Sequence, residues 1–205
     1  MTGRVEVAAT VLLSVAAVAT AWSSYQATRW NGEQAKAAAG ANAARIGAAR
    51  AQGLSQAQTQ VDVATFTQWV NAYAREETTL AEFYFRRFRD EFKPAVNAWV
   101  ATKPLRNAKA PLTPFAMPQY RLAAAAEAER LDAKAAAAAG AALVDIQRAS
   151  NYVLCVVLFA VSLFFAGIGT KLTAPRLKVF TLAVGFAVFA GTLIWIATFP
   201  VSVAV

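Results

Sequence analysis

Two pairs of neighbouring carboxylates are the groups in this 205-residue chain with the most obvious capacity for acid–base chemistry: Glu76 with Glu77, and Asp90 with Glu91. Two carboxylates can act as general acid and base when both point at one substrate. A helical apolar pattern surrounds both pairs, and adjacent residues on a helix point to different faces. We therefore predict that these side chains do not converge on a substrate and are solvated charges.

Histidine chemistry and metal binding are the next candidates to consider. The sequence has no histidine and one cysteine, Cys155, so a histidine-based triad, a histidine-containing zinc site and a histidine-ligated haem are excluded. Residues 167–171 carry glycines and a lysine but lack the Gly-Lys-Ser/Thr order of a phosphate-binding loop. We predict no catalytic, metal or cofactor-binding residue and no enzymatic activity, with Cys155 as a small packing residue.

A cluster of arginines among aromatic residues is the most unusual local feature. Arg86, Arg87 and Arg89 lie within a run that also holds five aromatic residues between Phe83 and Phe92. The cluster is either a docking surface for a partner or anionic lipid, or an aromatic core whose arginines pair with Glu82, Asp90 and Glu91. We favour the second interpretation. The net charge of +8 is spread thinly along the chain, so nucleic-acid binding is not predicted.

Three apolar stretches determine the fold class. Hydrophobic residues make up 58% of the chain and charged residues 16%, and the charge is sparse in residues 5–24, 152–170 and 179–199. Each stretch has the length of about 20 residues that a helix needs to cross a bilayer. We predict an all-α membrane protein with an N-terminal membrane helix (1–24), a helical extramembrane domain (25–150) and a C-terminal membrane hairpin (151–205).

The charges flanking these stretches predict the topology. Short cytoplasmic loops are rich in Lys and Arg, and Arg4 and the loop between the last two spans are positive. The N-terminus is therefore predicted to be cytoplasmic, with residues 25–150 and the C-terminus outside a bacterial plasma (inner) membrane. The triplet 19–21 also resembles a signal-peptide cleavage site, which leaves cleavage of the first span open. The predicted membrane-interface anchors are Trp22, Tyr25, Tyr152, Trp195, Lys171, Arg176 and Lys178.

The extramembrane domain is predicted to be a long helical hairpin. Its first helix continues the first span. Gly53 followed by Ser55 suggests a stop and a new capping box, and the sequence leaves open whether the helix breaks there. An apolar stripe then predicts one helix over about 55–100. Four prolines within 101–118 predict an extended connector, and helix resumes at Gln119 and leads into the second span.

Small residues indicate where helices approach each other. Two alanine-rich blocks, 35–51 and 123–142, lie at similar distances along their helices from the first and second spans, so we predict that they pack as a tight antiparallel coiled-coil stalk, within or between subunits. Small residues also allow close contact between membrane helices; on the second span these are Ser162, Ala166 and Thr170. The candidate packing residues are Ala41 and Ala136 in the stalk, and Ala183, Ala187 and Gly191 on the third span.

Four segments carry a resemblance to other proteins: WSSYQATRWNGEQ (22–34), PFAMPQYRL (114–122), NYVL (151–154) and FFAGIGTKL (164–172). They resemble a widespread group of uncharacterised small bacterial membrane proteins with one N-terminal and two C-terminal membrane helices. The resemblance implies the same architecture and brings no activity or catalytic residue with it.

The combined features predict a non-enzymatic membrane protein that self-associates and acts as a scaffold or interaction module. Its predicted partners are the lipid bilayer, further copies of the chain and a protein that binds the outer domain. The alternative is an oligomeric pore. Ionisable residues inside the spans usually mark transport pathways, whereas these spans offer mainly hydroxyls, so a pore would be narrow and hydrophobic. The hydroxyl residues are Ser14, Thr20, Ser162, Thr181 and Thr192.

Overall fold

The computed structural model describes residues 2–203, with side chains from Val5 onward. Arg4, which the sequence places on the positive N-terminal tail, has its side chain outside this described part. The described residues form α-helices and one short 3₁₀ turn and include no strand, which confirms the all-α fold class. The elements are α1 (Thr2–Ala74), α2 (Thr78–Arg86), α3 (Lys93–Ala101), the 3₁₀ turn (Pro114–Ala116), α4 (Ala123–Lys171) and α5 (Pro175–Ile196).

Three of these helices, α1, α4 and α5, are long and apolar enough to cross a membrane. The predicted number and order of helices that could span a membrane are therefore confirmed, which is consistent with a multi-pass membrane protein. α5 ends at Ile196 rather than at residue 199. The loop between α4 and α5 is only residues 172–174, so Lys171 closes α4 while Arg176 and Lys178 lie in the first turn of α5.

Helix α1 is continuous through Gly53, so the predicted stop at residues 53–55 is wrong. Alanine is the best helix former, and the alanine-rich sequence on the N-terminal side of Gly53 outweighs the cost of one glycine. Ser55 is buried in the interior of α1 and does not cap a new helix.

The single helix predicted over 55–100 is also wrong, because the chain is helical there in three pieces. α1 ends at Ala74, and α2 and α3 follow. In the turn between α1 and α2, Glu76 has a left-handed backbone with φ of 59°. Breaking the helix lets aromatic residues distant in sequence pack together: the ring of Phe66 lies edge-on to those of Phe92 and Trp99. The apolar stripe therefore extends over three helices and the turns between them instead of following one helix.

The proline-rich connector runs through successive turns rather than as one extended segment. Phe115 stacks on Phe92 with 5.2 Å between ring centroids, and the indole nitrogen of Trp99 donates a hydrogen bond to the Pro111 carbonyl at 2.6 Å. The connector is therefore part of the aromatic core. Helix resumes at Ala123 rather than at Gln119.

The chain divides into two compact units. We call Met1–Gly40 with Ala137–Val205 the membrane unit, and Ala41–Ala136 the aromatic unit. These boundaries lie further from the spans than residues 24/25 and 150/151, because helices of the membrane unit keep packing beyond the apolar stretches. Trp30, for example, is buried in one cluster with Ala149 and Tyr152.

Candidate functional site

An alanine seam joins α1 and α4 within the aromatic unit. Ala41, Ala44 and Ala48 of α1 are buried, as are Ala128 and Ala135 of α4. A Cβ added at Gly47 would lie 3.1 Å from Leu131 Cδ1, which shows how closely the two helices approach. Alanine and glycine bury little area, so the seam stabilises the unit through close contact of the backbones.

Of the two predicted seam residues, Ala41 is buried and Ala136 is exposed. The alanine of α4 that packs at this position is its neighbour Ala135. Adjacent residues on a helix differ in direction by about 100°, so a shift of one residue moves a side chain from the seam to the outer surface. Ala136 is therefore a surface residue within the chain, and its packing between subunits, which the prediction also allowed, stays a prediction.

The outer face of α1 in the aromatic unit carries apolar residues without cover in this structure. Ile46, Leu54 and Val61 remain 48%, 55% and 53% exposed. Successive members of this set are about two helical turns apart, and Arg50 lies on the same face between Ile46 and Leu54. Large apolar residues that share one exposed helix face commonly mark a contact surface.

The outer face of α4 in the aromatic unit has the opposite character. Ala126, Glu129, Ala133 and Ala136 are exposed at spacings of three and four residues, which places them along one face. The face is shallow because three of its four members are alanines, and Glu129 supplies a negative charge. Among the side chains described from Val5 onward, neither Glu129 nor Arg50 takes part in an ion pair.

A buried polar network ties α1 to the chain that precedes α4. The hydroxyl of Tyr120 donates a hydrogen bond to Asp62 Oδ2 at 3.1 Å, and Asp62 is fully buried. Arg89 reaches both Asp62 and Glu91, and Glu91 Oε1 accepts a hydrogen bond from the backbone N–H of Ala123, the first residue of α4. The network therefore holds the start of α4, and the segment that precedes it, against α1.

The arginine cluster has the structural role that the sequence favours. Arg89 pairs with Glu91, as described above, and Arg86 pairs with Glu82 at 3.7 Å. Arg87 differs from the expectation, because its guanidinium carbon lies 3.5 Å from the centre of the Phe83 ring. Phe88 and Phe92 are buried in the aromatic core.

A cavity of about 490 Å³ opens between the turn that follows α1 and the turn that follows α3; we call it the turn cavity. Glu76, Glu77, Lys103 and Arg106 are among the residues that line it. Glu76 and Glu77 thus line the same cavity, so the prediction that they lie on different faces of one helix is wrong. The prediction failed because residues 75–77 are a turn and not a helix.

Glu76 and Lys103 occupy equivalent backbone positions. α1 ends in a Schellman motif, in which Glu76 N–H bonds to the Tyr73 carbonyl and Glu77 N–H to the Ala72 carbonyl. Lys103 follows α3 with φ of 54°, and its N–H bonds to the Val100 carbonyl. This left-handed position favours glycine, yet both positions carry charged residues, and both residues line the turn cavity.

In the membrane unit, α4 and α5 cross closely at Gly185. A Cβ at Gly185 would lie 3.3 Å from both Phe165 Cβ and the Ser162 carbonyl. Ser162 Oγ donates a hydrogen bond to the Gly185 carbonyl at 2.8 Å, and Ser162 and Ala166 are fully buried. Two of the three small residues predicted on α4, Ser162 and Ala166, therefore make this crossing with Gly185, whereas Thr170 is exposed.

The small face predicted on α5 is on the other side of the helix. Ala183, Ala187 and Gly191 are exposed, whereas Leu182, Gly185, Phe189 and Thr192 are buried. Within the chain these three residues therefore lie on the surface and do not pack against α1 or α4, and their packing against another copy stays a prediction. Both sides of α5 hold small residues, so composition alone did not distinguish them.

Five of the seven predicted anchors have the exposure that an interface residue needs. Trp22, Tyr25, Trp195, Lys171 and Arg176 are exposed. Lys178 is largely covered, with Nζ 3.4 Å from Glu6 Oε1.

Tyr152, predicted as a membrane-interface anchor, is fully buried within the chain and does not present its ring at the surface. Its hydroxyl donates a hydrogen bond to the Pro200 carbonyl at 3.0 Å, and the indole nitrogen of Trp30 donates to the same oxygen at 3.2 Å. Gln26 bonds to both the N–H and the carbonyl of Ser202. Together these side chains hold the segment after α5 against α1 and α4.

The sequence analysis missed the turn cavity, Gly185 and Gln26. Glu77 did offer a signal, since it falls where the apolar stripe of a helix requires an apolar residue. Comparison with known proteins finds no matching family model, no matching curated protein and no matching solved structure.

Proposed function

We propose that the protein is a non-enzymatic scaffold that self-associates through its aromatic unit while anchored in a bacterial plasma (inner) membrane. The main observation behind this proposal is the exposed apolar face of α1 in the aromatic unit, on which Arg50 lies between Ile46 and Leu54. Exposed apolar area of this kind is costly in water, and a second copy of the chain offers a complementary surface.

The complementary surface is the outer face of α4. Gly47 contacts Leu131 across the seam, and Tyr120 contacts Asp62, so α1 and α4 run antiparallel in this unit. Three residues beyond Gly47, Arg50 is therefore level with residue 128, next to Glu129. In a neighbouring copy anchored the same way, Glu129 is at the height of Arg50.

The shapes of the two faces agree with this pairing. Ile46 and Leu54 project from α1, whereas alanines flank Glu129 on α4. Seating α1 of one copy against α4 of the next buries the apolar side chains and pairs the two charges. The contact is head to tail, and such a contact closes into a ring or continues as an array.

The proposed topology puts the aromatic unit outside the cell. Exposed Lys171 and Arg176 at the α4–α5 loop support a cytoplasmic position for that end. The resemblance to uncharacterised bacterial membrane proteins supports the choice of membrane.

Charge reversal tests the proposed contact. Native mass spectrometry of the full chain in mild detergent is expected to give an oligomer for the wild type. Arg50→Glu and Glu129→Arg are each expected to lower the oligomer fraction at least tenfold, and the double variant to restore it. Lys109→Glu, an exposed reversal in the connector, is the matched control. A monomeric wild type refutes self-association, and a double variant no better than the singles refutes this pairing.

A second candidate function, an oligomeric pore, is favoured by a separate observation in the membrane unit. Thr10, Ser14 and Ser24 are exposed within the first apolar stretch of α1, where hydroxyls could line a water-filled path through the membrane. Thr10 and Ser14 also donate hydrogen bonds to carbonyls four residues earlier. These bonds satisfy the hydroxyls without water, so the scaffold is the preferred proposal.

Ion flux distinguishes the two functions. Liposomes holding the wild-type protein are expected to show no conductance under the scaffold proposal. Conductance that Ser14→Val changes and Ser150→Val outside the span does not would establish the pore instead.

A further inference from the structure

We propose that the turn cavity binds a small zwitterion, an amino acid or short peptide with an apolar side chain, through Glu76 and Glu77 on one side and Lys103 and Arg106 on the other. This site is distinct from the faces that would mediate self-association, and its ligand is independent of the oligomeric state.

Charge arrangement is the first argument. Two acidic residues, Glu76 and Glu77, and two basic residues, Lys103 and Arg106, line the cavity. None of these four residues takes part in an ion pair among the side chains that the structure describes, residues 5–203. Opposite charges on one cavity without mutual pairing leave room for a ligand that carries both an ammonium and a carboxylate group.

Backbone conformation is the second argument. Glu76 and Lys103 hold left-handed conformations that glycine adopts more readily. Strained residues of this kind cluster at ligand sites. In the described structure they are the two non-glycine residues with positive φ, and they lie on the same cavity. A glycine would remove the strain and would also remove the charged side chain.

The volume and the apolar lining of the cavity indicate the size of the ligand and the kind of side chain that it carries. Its volume of about 490 Å³ falls within the range of small-molecule sites. Ala72 and Ala81 are buried, and Tyr73 is partly buried, so the lining also includes apolar residues. A ligand that carries an aliphatic side chain in addition to its ammonium and carboxylate groups matches this lining.

Calorimetry on the full chain in detergent tests the proposal with leucine and leucyl-leucine, which distinguish an amino acid from a peptide. At least one is expected to bind. N-acetylation or C-terminal amidation of the bound probe is expected to weaken binding at least tenfold. Absence of binding by both probes at millimolar concentration overturns the proposal, and so does equal binding of the capped forms.

Variants locate the site. Glu76→Gln with Glu77→Gln, and separately Arg106→Gln, are expected to weaken binding at least tenfold. Glu82→Gln and Lys109→Gln are the matched controls, since both side chains are exposed and do not line the cavity. Thermal unfolding confirms that each variant is folded. Unchanged affinity in the cavity variants, or equal loss in the controls, assigns the binding elsewhere and overturns the inference.

Discussion

The Asp62 Oδ1 atom lies 3.5 Å from the Arg89 Nε atom, and both atoms are buried without a hydrogen bond to any described partner. The pair is therefore loose for an ion pair in the interior. Burial raises the pKa of the Asp62 carboxyl above its ordinary value of 3.8, although Arg89 and the hydrogen bond from Tyr120 act in the opposite direction. Desolvation outweighs the favourable contacts here.

This raised pKa predicts how stability depends on pH. The folded protein holds the Asp62 proton more tightly than the unfolded chain, so the stability contributed by this group is greatest below pH 3.8. It is lost as the pH rises from there to the raised pKa. Asp62→Asn removes the titration. The difference in unfolding temperature, wild type minus variant, is expected to fall as the pH rises from 3.5 (about the ordinary pKa) to neutrality.

Thermal unfolding of both proteins over a pH series, in one detergent, measures this difference. Other titrating groups are common to both proteins and cancel. Asp132→Asn, at an exposed carboxylate, is the control. A difference that stays constant or grows with pH would contradict the role of burial.

The continuity of α1 predicts opposite effects at two of its glycines. A Cβ at Gly53 meets nothing within 4 Å, so Gly53→Ala is expected to stabilise the protein by about 0.5–1 kcal/mol, the usual helix-interior difference between the two residues. Gly47→Ala places its Cβ 3.1 Å from Leu131 Cδ1. Because this contact is tight, the variant is not expected to be stabilised as Gly53→Ala is. Chemical denaturation of the two variants measures both effects, and destabilisation by Gly53→Ala would indicate a helix end there.

The sequence predicts the spans well because a membrane imposes one length and one chemistry on each helix. It predicts the helix breaks poorly, because the apolar spacing continues across the turn at Glu76 and only the folded aromatic core requires a reversal. Ala136 was assigned one residue away from the buried Ala135, since composition does not set the rotation of an alanine-rich helix. The turn cavity depends on two helix ends that carry no glycine, the usual signal.

The crossing of α4 and α5 predicts that Gly185 tolerates no side chain. Gly185→Ala brings a methyl group to 3.3 Å from backbone as well as side-chain atoms, and overpacking of this kind costs about 1–3 kcal/mol. Gly191→Ala on the same helix is the matched control, because its Cβ meets nothing within 4 Å. Unfolding temperatures in lipid nanodiscs are expected to fall for Gly185→Ala alone. Equal tolerance at both positions would show that the helices do not cross at Gly185.

The two left-handed helix ends predict stabilisation at the expense of the proposed binding. Glu76→Gly and Lys103→Gly each relieve a conformation that costs a side-chain residue about 1 kcal/mol, so each is expected to raise the free energy of unfolding by up to that amount. Thr102→Gly, at a right-handed position next to Lys103, is the control and is expected to be destabilising. Denaturation measures stability and calorimetry measures affinity on the same samples. A glycine variant that becomes both more stable and weaker in binding would show that the strained residues hold their charges at the cavity for the ligand, whereas a loss of stability would mean that their side chains support the fold.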